Sequence, residues 1–85
     1  MTVEYTPEAI KDLKKLDKQA ARQILSYMDD VARMPNPMDR GKALKGNLSE
    51  YWRYRSGNYR IICQIEDTKL LITALKVADR KDVYN

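Results

Sequence analysis

Residues 51–65, YWRYRSGNYRIICQI, decide how this chain is read. On either side of Gly57-Asn58 the side chains alternate at period two, the pattern of two strands joined by a tight turn. A two-residue hairpin turn with glycine at its first central position is type II′. That register sets Ser56 opposite Tyr59, Arg55 opposite Arg60 and Tyr54 opposite Ile61. Alternation then gives one face to Arg53, Arg55, Arg60 and Ile62. The other face carries Trp52, Tyr54, Tyr59, Ile61, Cys63 and Ile65, which suits burial. A three-residue loop would shift the pairing and split the arginines, so the turn governs both faces.

Like charges opposite each other across strands cost up to ~1 kcal/mol, and no carboxylate lies close in sequence to Arg55 and Arg60. Two readings stay open. In one, the arginines form a solvated face whose stems cover the sheet, or are neutralised by Glu66 or a carboxylate from elsewhere in the fold. In the other, they converge to hold an anion.

Outward from the hairpin, TVEY (2–5) reads as an opening strand. Thr6-Pro7 supplies an N-cap and a proline at the first helical position, and Ile10, Leu13 and Leu16 predict a helix over 7–16. Asp17 caps a second helix over 18–34, with Ala21, Ile24, Met28 and Val31 on its core face and Leu25 and Ala32 beside them. Pro35 ends it. Residues 35–50 are a turn-rich loop. Strands are predicted over 51–55, 59–66 and 70–77, with EDTK (66–69) as the last turn. The order β-α-α-β-β-β predicts an α+β fold, two helices on one face of a small, mostly antiparallel sheet. One domain over 1–85 is expected.

Charge is informative by position. Lys42, Lys45, Arg53, Arg55 and Arg60 stand against Glu50 alone in residues 41–60, so this window holds all of the chain's net charge of +4. Such a patch attracts nucleic acid, acidic protein or anionic membrane. The apolar stretches are too short to span a bilayer, the start lacks a secretory layout, and one cysteine makes no internal disulfide. A reducing cytoplasm, with no membrane partner, is the expected setting.

The chain contains no histidine, which excludes Ser–His, Cys–His and two-histidine mechanisms. No phosphate-binding glycine loop, metal-ligand spacing or nucleotide fingerprint is present, so no cofactor is expected. Arginine stays protonated near neutral pH; it stabilises anions but does not act as a base there. Fixed positive charge with a nearby aromatic suits an RNA phosphodiester, on which charge grows during transfer. Trp52 and Cys63 have core parity, and Lys11, Lys14 and Lys15 mark the solvated face of the first helix.

PEAIKDLKKL (7–16), ALKGNLSEYWRYRSGNYRIICQI (43–65) and VADRKDVY (77–84) together resemble the RelE/ParE toxin superfamily of bacterial toxin–antitoxin systems, the RelE branch most closely. The resemblance implies an endoribonuclease that enters the ribosomal A site and cuts mRNA by 2′-hydroxyl attack, without a metal. It also implies an acidic, RelB-like antitoxin that covers the basic groove, with operator DNA reached only through that antitoxin. Carried over by motif, the catalytic positions fall on Arg53, Arg55, Arg60, Arg80 and Tyr84; Lys42 and Lys45, which flank a loop, read either as RNA phosphate contacts or as solvated side chains. Arg60 and Arg80 would hold the scissile phosphate, Arg53 and Arg55 would position the message or favour ionisation of the 2′-hydroxyl, and Tyr84 would stack on a base or align the attacking sugar. Several relatives have Gly-His or Gly-Lys where this chain has Ala78-Asp79, an acid beside Arg80 that could neutralise it. The proton donor to the leaving oxygen stays open among Lys42, Lys45, the ribosome and solvent, and Glu50 precedes the strand as a possible neighbour of the site. A ParE-like inhibitor of DNA gyrase and a catalytically inactive binding module are the alternatives.

Overall fold

The computed structural model describes residues 1–44 and 51–79. Lys45, Glu50, Arg80 and Tyr84 lie outside the described residues. Five strands, β1 (Thr2–Tyr5), β2 (Lys42–Ala43), β3 (Trp52–Ser56), β4 (Tyr59–Glu66) and β5 (Leu71–Asp79), form one sheet in the order β1-β5-β4-β3-β2. β1 runs parallel to β5 and the other neighbours are antiparallel. The helices α1 (Pro7–Lys14) and α2 (Lys18–Arg33) precede β2 in the chain and pack against this sheet. The α+β order expected from sequence is present, with the two-residue β2 added at the edge.

Both helices start where their caps dictate. Thr6 Oγ1 accepts from the Ala9 amide at 3.1 Å and Asp17 Oδ1 accepts from the Ala20 amide at 2.7 Å. The hairpin has the register that a type II′ turn requires: Ser56 faces Tyr59, Arg55 faces Arg60 and Tyr54 faces Ile61. Gly57 has φ +60° while Asn58 is not in the left-handed region, which matches type II′ and excludes type I′.

Ile24, Met28 and Val31 of α2 meet Tyr54, Ile61, Cys63, Ile72, Ala74 and Val77 of the sheet in one buried cluster. Trp52, Tyr59 and Ile65 are partly buried against it, on the parity expected for them. In α1, however, Ala9 and Leu13 are buried while Ile10 is exposed. The inward row of this short helix is therefore 9, 13 and 16 rather than 10, 13 and 16, and the small Ala9 lets the helix approach β5 closely.

A second departure lies in β5. Ile62 pairs with Lys76 but Cys63 pairs with Ala74, so Leu75 is an extra residue. This bulge reverses the alternation, turning Val77 inward where strict period two would have placed Lys76. Side chains of α1 and its cap bind the backbone groups here: Thr6 Oγ1 donates to the Leu75 carbonyl at 2.9 Å, and Asp12 Oδ2 accepts from the Val77 amide at 2.9 Å.

Burial pushes the Cys63 thiol up to about 12 and contributes most to raising Tyr5 to about 12, with Asp29 and Cys63 adding to the latter. The folded state therefore favours the neutral thiol. Below its ordinary value of 9.0 the contribution to stability is fully present, and it is lost as pH rises toward about 12. Urea unfolding followed across this window is expected to show falling stability. A thiol reagent at pH 8 should leave Cys63 unmodified in the native protein and label it fully in denaturant; rapid native labelling would contradict this burial.

Candidate anion-binding site

Two cross-strand rows assemble the basic face. Lys42 of β2 sits opposite Arg53 of β3, which sits opposite Ile62 of β4. In the next row Arg55 faces Arg60, which faces Ala78 of β5. Partners in such rows share one side of the sheet. Lys42, expected in a loop, thus belongs to the same sheet surface as the arginines because β2 pairs with β3.

A pocket of about 200 Å³ is lined by Tyr27, Gly41, Lys42, Arg53 and Arg55. The ion pairs among the described residues run from Asp30 to Arg33, from Glu66 to Lys69, and from Lys76 to Glu8 and Asp12. None of them involves Lys42, Arg53 or Arg55. Glu66, a candidate to neutralise the arginines, is 3.3 Å from Lys69 instead.

Arg60 differs from the expectation of an open cluster. It is directly across from Arg55, yet it is 6% exposed and does not line the pocket. The two strands differ in setting: β4 is flanked by β3 on one side and the long β5 on the other, whereas β3 lies next to the two-residue edge strand β2. The structure therefore groups Lys42, Arg53 and Arg55 at an accessible pocket and sets Arg60 deeper in the same surface. Asp79 pairs with Tyr59 while Ala78 pairs with Arg60, so alternation directs Asp79 to the side opposite Arg60.

The other face of β3 holds the pocket's second wall. Trp52 Nε1 donates to the Arg40 main-chain carbonyl at 2.8 Å, and the Tyr54 hydroxyl donates to the Pro37 carbonyl at 2.8 Å. These bonds clamp residues 37–40 across the strand and deliver Gly41 and Lys42 to the arginines. Gly41 has φ +75°, and a Cβ there would lie 2.6 Å from Trp52 Nε1 and 2.9 Å from Tyr54 Cδ1, and against the Arg53 carbonyl oxygen. Only glycine fits.

Tyr27 completes the lining. Its ring meets Tyr54 edge to face, with centroids 6.2 Å apart, and the Arg40 guanidinium lies 5.8 Å from its centroid. Burial raises the Tyr27 pKa and the Arg40 charge opposes that rise only in part. The phenol thus remains a hydrogen-bond donor at neutral pH. Tyr27, Arg40 and Gly41 were not identifiable as site residues from the sequence; the visible signal was limited to Arg40-Gly41 in a turn-rich loop. Chemically, the pocket offers two guanidiniums, one ammonium and one phenol, a set suited to phosphate oxygens. Among the described residues no three of His, Cys, Asp or Glu come together to hold a metal ion, and no helix is long and apolar enough to cross a membrane.

Comparison with known proteins gives a consistent result. The sequence pattern of the family described as ParE toxin of type II toxin–antitoxin system, parDE, matches residues 3–84. Toxin RelG of Mycobacterium tuberculosis is 31% identical over 84 residues, covering 98% of this chain and 94% of that protein. The toxin–antitoxin complex RelBE2 of the same organism contains a chain that superimposes with a TM-score of 0.85 at 30% identity, over 95% of this chain and 92% of that one. The isolated RelE toxin of E. coli shares the fold, with a TM-score of 0.71 at 19% identity over 91% of this chain and 81% of that one.

The two glycines at positive φ separate conformational strain from close approach. Gly57→Ala meets no atom within 4 Å and is expected to cost about 1–2 kcal/mol from backbone conformation alone. Gly41→Ala adds overpacking and should cost about 2–4 kcal/mol. Urea denaturation of both variants checks the difference, and equal costs would show that the approach to β3 is not a constraint.

Proposed function

The chain belongs to the ParE-toxin family of type II toxin–antitoxin systems, within the RelE/ParE superfamily, and we propose that it is a ribosome-dependent endoribonuclease. In this reading it cuts mRNA in the ribosomal A site and so arrests translation in the cytoplasm. The observation that carries the reading is the pocket in which Lys42, Arg53 and Arg55 converge with no ion-pair partner among the described residues.

The chemistry needs no co-reactant. The ribose 2′-oxygen loses its proton and bonds to the adjacent phosphorus, the P–O5′ bond breaks, and the 5′-oxygen takes up a proton. The products are a 2′,3′-cyclic phosphate and a 5′-hydroxyl. Arg53 and Arg55 hold the message and, by their charge, favour ionisation of the 2′-hydroxyl. Arg60 and Arg80 stabilise the extra negative charge on the phosphate in the transition state, and Tyr84 stacks on a base. Lys42 and Lys45 bind flanking phosphates and steer the protein to RNA in a salt-dependent way. The partner is an acidic, RelB-like antitoxin laid across the basic face, with operator DNA bound through it.

The family description that matches residues 3–84 keeps a second reading in play, inhibition of DNA gyrase by protein binding. Primer extension on an mRNA during toxin expression distinguishes the two. Cuts are expected between codon positions in translated regions only. Arg53→Gln with Arg55→Gln, Arg60→Ala and Arg80→Ala should each reduce cutting, about 10²–10³-fold for loss of one preorganised donor. Intact mRNA with DNA breaks would favour gyrase; intact mRNA, intact DNA and normal growth would identify an inactive binding module.

A further inference from the structure

The lining of the basic pocket comes from separate parts of the fold. Tyr27 belongs to α2, Gly41 and Lys42 to the clamped segment and β2, and Arg53 and Arg55 to β3. Lys42, Arg53 and Arg55 are cations, which donate hydrogen bonds and accept none. Among the described residues no carboxylate lines this pocket. Asp29, Asp30 and Asp39 are close to the lining in sequence but are not part of it. Asp29 acts on Tyr5, and Asp30 is 3.8 Å from Arg33.

Tyr27 is the neutral donor of the set. Its ring is held by the Tyr54 ring, with centroids 6.2 Å apart, and by the Arg40 guanidinium, 5.8 Å from its centroid. Arg40 also acts on the phenol as a hydrogen-bond donor. A guanidinium can engage only the lone pairs of the phenol oxygen, so the O–H proton is left for another acceptor. The other side chains of the pocket offer none. Burial keeps that proton in place: it is the largest cause of the raised pKa, and Arg40 offsets it only in part.

We propose that the Tyr27 hydroxyl is a substrate-contacting group, donating to an oxygen of the message phosphate that Arg53 and Arg55 hold in this pocket. This contact rests on the ribonuclease reading and adds a residue from α2 to its site. A phosphate fits because its oxygens can meet a guanidinium and a neutral donor at once. The arginines and the phenol then do different work. Arginines that meet phosphates release counterions, so their share of the affinity falls as salt rises. The phenol carries no charge, releases no counterion and contributes by the same factor at every salt concentration.

That difference supplies the test. A fluorescein-labelled 2′-O-methyl hexauridylate, which lacks the nucleophilic hydroxyl and stays uncut, is titrated with the intact toxin by fluorescence anisotropy at several salt concentrations. Tyr27→Phe keeps the ring and removes only the hydroxyl. It is expected to weaken binding about tenfold, the loss of a hydrogen bond to a charged acceptor, with the salt slope unchanged. Arg53→Gln with Arg55→Gln should weaken binding and flatten the slope by about one for each arginine that meets a phosphate. Thermal melts establish that the variants are folded. In wild type labelled with ¹³Cζ-tyrosine, the resonance missing from the Tyr27→Phe spectrum should shift when the oligonucleotide is added.

Wild-type affinity in Tyr27→Phe, with binding weakened in the Arg53/Arg55 variant, overturns the hydroxyl contact and leaves the pocket reading intact. A flattened salt slope in Tyr27→Phe also overturns it, because the hydroxyl would then act by placing the cations. An unmoved Tyr27 resonance, or no binding by wild type, overturns it as well. Wild-type affinity in the Arg53/Arg55 variant overturns pocket and contact together. Uncut mRNA in primer extension with the expected titrations removes the ribonuclease reading and supports the phosphate contact.

Discussion

The clamp that β3 places on residues 37–42 is the constraint on which the site depends. Trp52 and Tyr54 each bury an aromatic body and extend a polar tip to a carbonyl of the crossing segment, at Arg40 and Pro37. The intervening residues Arg53 and Arg55 point the other way by strand alternation. One five-residue strand thus fastens the second wall of the pocket with its even positions and supplies the cationic wall with its odd ones. The absence of a side chain at Gly41 lets the segment lie against the strand, and Lys42 then pairs opposite Arg53. Shifting β3 by one residue would exchange the two sets and remove clamp and site together.

Much of this was legible in the sequence because it depends on local rules. Thr6-Pro7 and Asp17 announce the helix starts, and Gly57-Asn58 sets the hairpin register from which the arginine rows follow. The remainder depends on contacts distant in sequence. The bulge at Leu75 was hidden because ALKV fits a regular strand until Thr6 and Asp12, more than sixty positions earlier, bind its backbone groups. Ile10 was misread for a similar reason: periodicity identifies an apolar row, but the approach of α1 to β5 chooses between adjacent rows. Lys42 gave no strand signal because β2 has two residues and exists through its pairing with β3. Tyr27 reaches the pocket from α2, a tertiary contact that no spacing within 41–60 could reveal. The burial of Arg60 likewise has no signal among its own neighbours in sequence.

Magnitudes explain why the hairpin tolerates its charges. Opposed like charges such as Arg55 and Arg60 cost up to ~1 kcal/mol per pair. The same two strands bury Tyr54, Ile61 and Cys63 completely on their other side, and a large apolar side chain removed from water contributes about 1.5–3 kcal/mol. Burial exceeds repulsion, so the opposed arginines can be held on one face of the hairpin. Strand parity makes the gain and the cost inseparable.

The two walls of the pocket consequently differ in how firmly they are held. Arg53 and Arg55 project from a strand paired along its length with β4 and backed by the core, so moving them means opening the sheet. Arg40 and Lys42 belong to a segment held chiefly by the Trp52 and Tyr54 bonds, each worth about 0.5–1.5 kcal/mol, and by a two-residue pairing at the sheet edge. The arginine wall fixes where an anion sits, and the Arg40–Lys42 wall can adjust around it at small cost. A polymer whose phosphates recur but whose bases vary is served by that division, because the charge contact stays constant while the adjacent surface accommodates what differs.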